Sequence, residues 1–200
     1  MNRVIAVAGG SGSGKSTLAK ALLTACGPER LAVLPIDAYY HDLSHLEAGA
    51  REEVNFDHPD ALDLELFSRH VETLRAGQPV HCPTYDFTTH CRRAPTRTIE
   101  PRETILVEGI LVAAHSHLRA LYDELVFVET PADLRWGRRL ERDQRDRGRD
   151  RASIDVFWAR AENTFAQWGS KALGAADLVI KGDQLPEQMV AELLAYTDLR

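Results

Sequence analysis

The sequence predicts a three-layer α/β/α fold built on a mainly parallel, five-stranded sheet. Short apolar runs alternate with amphipathic helical patterns from end to end, the pattern of a parallel sheet covered on both faces. The 200 residues suffice for one domain that buries most of its apolar surface in a single core. Apolar content of 44% and charged content of 27% are those of a soluble globular chain.

The elements follow in order. Residues 4–8, Val4-Ile5-Ala6-Val7-Ala8, form the first buried-strand pattern. A helical pattern over 15–25 stops at Gly27-Pro28. A second strand covers 31–36. The helix expected over 61–76 places Leu64, Phe67, Val71 and Leu74 on one face, with Gly77 as its stop. Further strands are expected at 104–107, 125–129 and 178–180, and helices at 132–145, 154–168 and 186–195. Residues 80–99 break the alternation. They contain Pro83, Pro95 and several threonines, with extended runs at 80–85 and 96–99, and read as a hairpin inserted into the α/β core. There is no internal repeat, low-complexity tract or linker, so residues 1–200 are expected to form a single domain.

Several function classes are disfavoured. No window approaches eighteen apolar residues, so no membrane-spanning helix is expected. The N-terminus runs straight into the first strand without the pattern of a signal peptide, and a cytoplasmic location is expected. Cys26, Cys82 and Cys91 lack metal-ligand spacing and read as reduced thiols. His115 and His117 are close together but have no companion ligands, so a zinc site is not expected. The net charge of −6 argues against a nonspecific nucleic-acid binder. That charge is uneven. Residues 135–151 hold eight arginines against Glu141, Asp143, Asp146 and Asp150, a local excess of +4, leaving −10 for the remainder. A basic patch on an acidic chain suits a small polyanion better than a long one.

Gly9-Gly10-Ser11-Gly12-Ser13-Gly14-Lys15-Ser16-Thr17 matches G-x-x-x-x-G-K-[ST] between a strand and a helix. Successive N–H groups and the helix N-terminus can face phosphate oxygens there. Lys15 is expected to reach the β- and γ-phosphates, and Ser16 to bind Mg²⁺. The alternative is a merely flexible glycine loop. The motif points to a nucleoside triphosphate and leaves its use open.

Other residues carry chemistry of their own. Asp37 follows the second strand at its carboxyl end, the edge where open α/β sheets place ligands. A carboxylate there can accept the proton of an attacking hydroxyl; otherwise it is a helix cap or a solvated loop residue. Glu108 ends an apolar strand. It is costly to bury without a cation or hydrogen-bonding partner, unless it simply faces solvent. Asp57 and His58 precede Pro59, where either Asp57 binds a ligand or Asp60 caps a helix and Asp57 makes an Asx turn. Tyr85 and His90 are a half-buried strand aromatic and an exposed turn residue, or contacts for a planar ring. Arg135, Arg138, Arg142, Arg145 and Arg149 follow a three/four pattern, with Arg139 adjacent. Pairing with acids on a solvated helix suits Arg135, Arg145 and Arg151.

Asp37-Ala38-Tyr39-Tyr40, Asn55-Phe56-Asp57-His58-Pro59-Asp60-Ala61-Leu62-Asp63, Pro83-Thr84-Tyr85-Asp86-Phe87-Thr88-Thr89-His90 with Arg92, Val107-Glu108-Gly109-Ile110-Leu111, and Glu141-Arg142-Asp143 running to Arg147-Gly148-Arg149 occur in this order. Together they resemble the uridine–cytidine kinase family of P-loop kinases, over residues 3–151. The resemblance implies ATP as phosphate donor, Mg²⁺ as cofactor and a nucleoside as acceptor, in an enzyme often tetrameric. It implies that Asp37 is the general base for the 5′-hydroxyl, with Tyr39 on the nucleoside side, and that Glu108 serves the metal with Ser16. It implies that Asp57 binds the ribose hydroxyls and that Tyr85 and His90 contact the base. Residues 135–151 resemble the lid: Arg142 and Arg147 would neutralise transferring charge, Arg139 would touch the sugar, and Arg149 would approach the base. Gly148 stands where the lid chain must turn. The last third departs from the pattern. Phe157 stands near a position where relatives commonly carry Gln, and reads as core on its helix. Ser170 to Asp177 differs from the usual Pro-Thr-Lys-like stretch.

The leading expectation is a kinase making UMP or CMP, with no nucleic-acid or membrane partner. The first alternative is a related P-loop kinase of another alcohol: another riboside, pantothenate or a sugar phosphate. A nucleotide-regulated switch or binding module belongs to a different class. It lacks support, since the Asn-Lys-x-Asp element of common GTPases is absent.

Overall fold

The computed structural model describes residues 1–56 and 58–199, with Glu52 by its backbone alone. In chain order the elements are β1 (Arg3–Ala8), α1 (Lys15–Cys26), β2 (Leu31–Pro35), α2 (Ala48–Glu52), α3 (Leu64–Arg75), β3 (Val80–Asp86), β4 (Cys91–Ile99), β5 (Thr104–Glu108), α4 (Ser116–Arg119), β6 (Glu124–Glu129), α5 (Ala132–Arg147), α6 (Arg151–Thr164), α7 (Lys171–Gly174), β7 (Leu178–Lys181) and α8 (Pro186–Thr197). Single 3₁₀ turns occupy Ile36–Tyr39 and Pro59–Ala61, and α6 runs on into a π-helical turn over Phe165–Gly169.

Five strands form one sheet in the order β2-β5-β1-β6-β7, with every pairing parallel. Strand alternation sends successive side chains to opposite faces. Val4, Ala6 and Ala8 join Phe67, Val71 and Leu74 of α3, together with Val80, Cys82 and Ile99 of the hairpin. Ile5 and Val7 join Leu18 and Leu22 of α1 and Met189 and Leu193 of α8. Each fully buried leucine or isoleucine in these two layers contributes about 1.5–3 kcal/mol relative to exposure. The inserted hairpin, β3 with β4, is a separate antiparallel sheet, with a register shift between Cys82 and Thr84 at Pro83.

One boundary differs from expectation. The helix expected from residue 61 begins at Leu64, because Asp63 caps it by accepting a 3.0 Å hydrogen bond from the Leu66 N–H. Asp60 caps nothing. It lies in the preceding 3₁₀ turn, where its N–H donates to His58 Nδ1 at 3.3 Å.

The register sets the site. Glu108 at the end of β5 stands opposite Val7 of β1 and Pro35 of β2. The glycine loop, Asp37 and Glu108 therefore leave the sheet at neighbouring carboxyl ends. Among the described residues no helix is long and apolar enough to cross a membrane.

Candidate active site

Gly9 to Gly14 wrap from β1 into α1. Gly12 shows why the loop needs glycine: its φ is 76°, and a Cβ would strike the carbonyl oxygen of Arg135. The first turn of α5 thus packs directly on the loop. Arg138 from the same helix donates to Gly182 O at 2.8 Å, and Thr130 Oγ1 donates to Ser13 O at 2.8 Å. Lys15 is buried, and its ammonium donates to Gly10 O at 2.9 Å. Burial lowers its pKa against the opposing pull of Glu108 and Asp37. Ser16 Oγ lies 3.2 Å from both carboxylate oxygens of Glu108. Burial, and then the nearby Asp37, push the Glu108 carboxyl up, while Lys15 and Ser16 oppose them. Two carboxylates, a hydroxyl and an ammonium therefore meet at one sheet edge. Such an arrangement suits a cation and an anionic ligand together.

These groups open into a cleft of about 510 Å³ that extends from the loop to the hairpin and is roofed by α5. Tyr85, Phe87 and His90 line its hairpin end. Tyr85 is 8% exposed, yet its hydroxyl has no hydrogen-bond partner among the described residues. A buried orphan hydroxyl beside a cleft is what a ligand can satisfy. His90 adopts a left-handed φ of 57°, and its ring stacks on Phe56 at 4.3 Å and 13°. Burial, then Arg149 and Arg147, push its pKa down to about 4. The imidazole is neutral, with one donor and one acceptor nitrogen.

The roof is cationic. Arg139, Arg142, Arg147 and Arg149 all line the cleft or its hairpin end. They converge on Asp143, whose side chain is wholly buried. Burial drives the Asp143 carboxyl up, but Arg147, Arg142 and Arg139 together hold it below its usual value. Arg147 is pushed down to about 10 by burial and by Arg142. The guanidinium of Arg149 lies 3.9 Å over the ring of Phe157, and that of Arg147 lies 4.8 Å over Phe87.

A phosphate loop, a strand-end carboxylate, an inserted hairpin and an arginine roof around one cleft are matched at sequence level over nearly the whole chain. Residues 4–191 match the model of the phosphoribulokinase / uridine kinase family. The chain belongs to that family. It is a phosphotransferase. A uridine kinase of Chloroflexus aurantiacus is 50% identical over 180 residues, covering 90% of this chain and 86% of that protein. A uridine kinase of Streptococcus gordonii is 43% identical over 178 residues, covering 88% and 85%. The solved phosphoribulokinase of Rhodobacter spheroides superimposes with a TM-score of 0.61 at 15% identity, over 92% of this chain and 73% of that one, a likeness of fold.

In this family member the structure brings most of the expected residues together and moves some. Ser11, Gly12, Gly14, Lys15, Ser16, Thr17, Asp37 and Glu108 line the cleft. Gly9, Gly10 and Ser13 shape the loop from behind, with Ser13 buried beneath it. Tyr39 does not reach the cleft. It is wholly buried, with its hydroxyl 2.8 Å from His70 Nδ1, and the following Tyr40 lines the cleft instead. The 3₁₀ turn after β2 turns the first tyrosine inward. Asp57 lies outside the described residues. Phe157 is not core; it is half-buried on the cleft wall under Arg149. Arg145 and Arg151 pair with Asp146 and Asp155 in solvent. Arg135, by contrast, is buried and pairs with Glu162 of α6 at 2.6 Å. Sequence reasoning did not single out Tyr40, the clamping role of Arg138 or the hub at Asp143. For Asp143 a signal existed: it sits four residues from both Arg139 and Arg147, on one helical face.

Proposed function

We propose that the chain transfers the γ-phosphate of ATP to the 5′-hydroxyl of uridine or cytidine, giving UMP or CMP. The observation that carries this reading is the single cleft that runs from Lys15 and Ser16 at the loop to Tyr85 and His90 on the hairpin, with Asp37 lining it. It is the shape for a triphosphate at one end and a flat polar ring at the other. Uridine kinases 50% and 43% identical to this chain support the choice of acceptor.

The donor set at the loop fits Mg²⁺. Ser16 Oγ and the Glu108 carboxylate are hard oxygen ligands, and the buried carboxylate gains from a neighbouring cation. Ser16 and Glu108 would hold Mg²⁺, and the charge neutralisation it would supply is that needed by the phosphates. Lys15 binds the β- and γ-phosphates. Asp37 orients the 5′-hydroxyl and takes its proton as the in-line bond forms. Arg142 and Arg147 stabilise the spread charge of the transferring group, and the roof excludes water. Asp57 accepts from the vicinal ribose hydroxyls, and Arg139 faces the sugar. Tyr85, His90 and Arg149 hold the base. Neutral His90 can donate to a pyrimidine O4 or accept from N4-H₂ by exchanging tautomers.

The test is ADP release from ATP with and without uridine, with the product identified by mass. Uridine-dependent ADP release with one UMP per ADP is expected. Release stimulated by another alcohol but by neither uridine nor cytidine would move the assignment to another acceptor.

A further inference from the structure

We propose that Asp143 is a positioning residue that sets the lid arginines in their working geometry before substrate arrives. The inference rests on the reading that those arginines meet the transferring phosphoryl group.

Asp143 differs from every other acid of the arginine segment. Asp146 pairs one-to-one with Arg145, with 49% and 75% of the two side chains exposed. That is an ordinary surface pair, and such pairs contribute little. The Asp143 side chain is 0% exposed and is shared. Its Oδ1 lies 2.7 Å from Arg142 Nη2 and 3.6 Å from Arg147 Nη1. Its Oδ2 lies 3.3 Å from Arg149 Nη1 and 3.5 Å from Arg139 Nε. One carboxylate facing four guanidinium groups leaves a surplus of three positive charges toward the cleft. Asp143 therefore does not neutralise the lid. It holds like charges together that would otherwise repel and spread.

The chain is built to make this reach. Arg139 and Arg147 lie one helical turn before and after Asp143 on α5. Arg149 lies beyond the helix and returns only because Gly148 adopts the left-handed conformation, φ 62° and ψ 20°. The Arg149 N–H then donates to Asp143 O at 3.2 Å, so the backbone and side chain of Asp143 together fix Arg149. On its other face Arg149 rests on Phe157. A free arginine side chain carries substantial rotamer entropy. Ordering these side chains beforehand leaves donors that need no rearrangement as charge develops, which favours the transition state over ground-state binding.

The experiment compares Asp143→Asn, Asp143→Glu and Arg142→Ala with the wild type in steady-state ATP and uridine kinetics, beside thermal unfolding. Asp143→Asn keeps the shape but turns an amide N–H against the guanidinium groups. It is expected to lower kcat about 10²-fold, as loss of a preorganised donor does, with the KM for ATP changed less than about threefold. Asp143→Glu, which restores the charge one methylene out of place, is expected to recover part of that kcat. Wild-type kcat in Asp143→Asn overturns the proposal, whether or not its melting temperature falls. If the Asn variant does not fold, Asp143→Glu decides: a wild-type kcat there overturns the proposal, and a lowered kcat with unchanged ATP KM upholds it. An impaired Arg142→Ala beside an unimpaired Asp143→Asn refutes this inference alone. Wild-type kcat in both removes the lid reading beneath it.

Discussion

Replacing Lys15 with alanine removes one ammonium from the place where the loop, Asp37 and Glu108 meet. Lys15 is 7% exposed, so its charge acts in a water-poor site where a contact to developing phosphate charge is worth more than in solvent. Losing one preorganised donor of this kind costs about 2.7–4 kcal/mol in the transition state. At about 1.36 kcal/mol per tenfold, kcat should fall about 10²–10³-fold. The loop itself should survive. Its shape comes from the positive φ angles of Gly9, Gly12 and Gly14, from Thr130 donating to Ser13 O, and from Arg138, which spans Gly12 O at 3.5 Å and Gly182 O at 2.8 Å. The hydrogen bond from Lys15 Nζ to Gly10 O is lost, but so is the desolvation of a buried charge, and the two partly offset. Glu108 loses a cationic neighbour, so its carboxyl should move still higher. The assay is ADP release at saturating uridine, with circular dichroism to confirm the fold. A folded Lys15→Ala variant with kcat within threefold of wild type would refute the role given to Lys15.

Three further outcomes are expected. Asp37→Asn keeps the shape and loses the base, so kcat should fall about 10²–10⁴-fold with ATP binding little changed; equilibrium ATP titration and steady-state rates separate the two. Phe157→Leu removes the ring under Arg149, a contact worth about 0.5–2 kcal/mol; the uridine KM should rise about 2- to 30-fold while kcat holds, and an unchanged KM would show the stack to be idle. His90, with its pKa pushed down to about 4, is neutral across the working range. The uridine KM should therefore stay flat from pH 8 to pH 5.5, where an ordinary imidazole would titrate near 6.5. The same depression has a stability consequence. Between about 6.5 and 4 the unfolded chain binds the proton and the folded chain does not, so this group's contribution is full above 6.5 and is lost as pH falls through that window.

The five strands were legible because each is a short apolar run, and a parallel sheet buries both faces. The cluster of Lys15, Ser16, Asp37 and Glu108 was legible for a related reason: Glu108 ends a strand, the other three lie in segments that leave strand ends, and parallel strands end on one edge. What escaped depended on rotation within a turn or on a return of the chain. Nothing in Tyr39-Tyr40 says which ring faces inward; the 3₁₀ turn decides it. Phe157 has helical spacing like a core residue, and only the turn at Gly148 lays Arg149 across it. Capping by Asp63 rather than Asp60 depends on where α3 begins, and two aspartates three residues apart offer the same chemistry. Asp143 was counted as one of four acids offsetting eight arginines. A charge count does not show that one acid is buried and shared while the others are solvated.

On the proposed reading one cleft takes a nucleoside triphosphate at the loop and a pyrimidine riboside at the hairpin. Steady-state kinetics on uridine, cytidine, adenosine and deoxyuridine, for the wild type and His90→Ala, test it most directly. Uridine and cytidine should react at rates of similar order, because a neutral imidazole serves either edge. Adenosine should fail against the wall formed by Tyr85 and Phe87. Deoxyuridine should be poor, because on the proposed reading Asp57 loses one of its two hydroxyl partners. His90→Ala should impair both pyrimidines and leave ATP binding unchanged. Activity on none of the four nucleosides, with activity on a different alcohol, would contradict the claim.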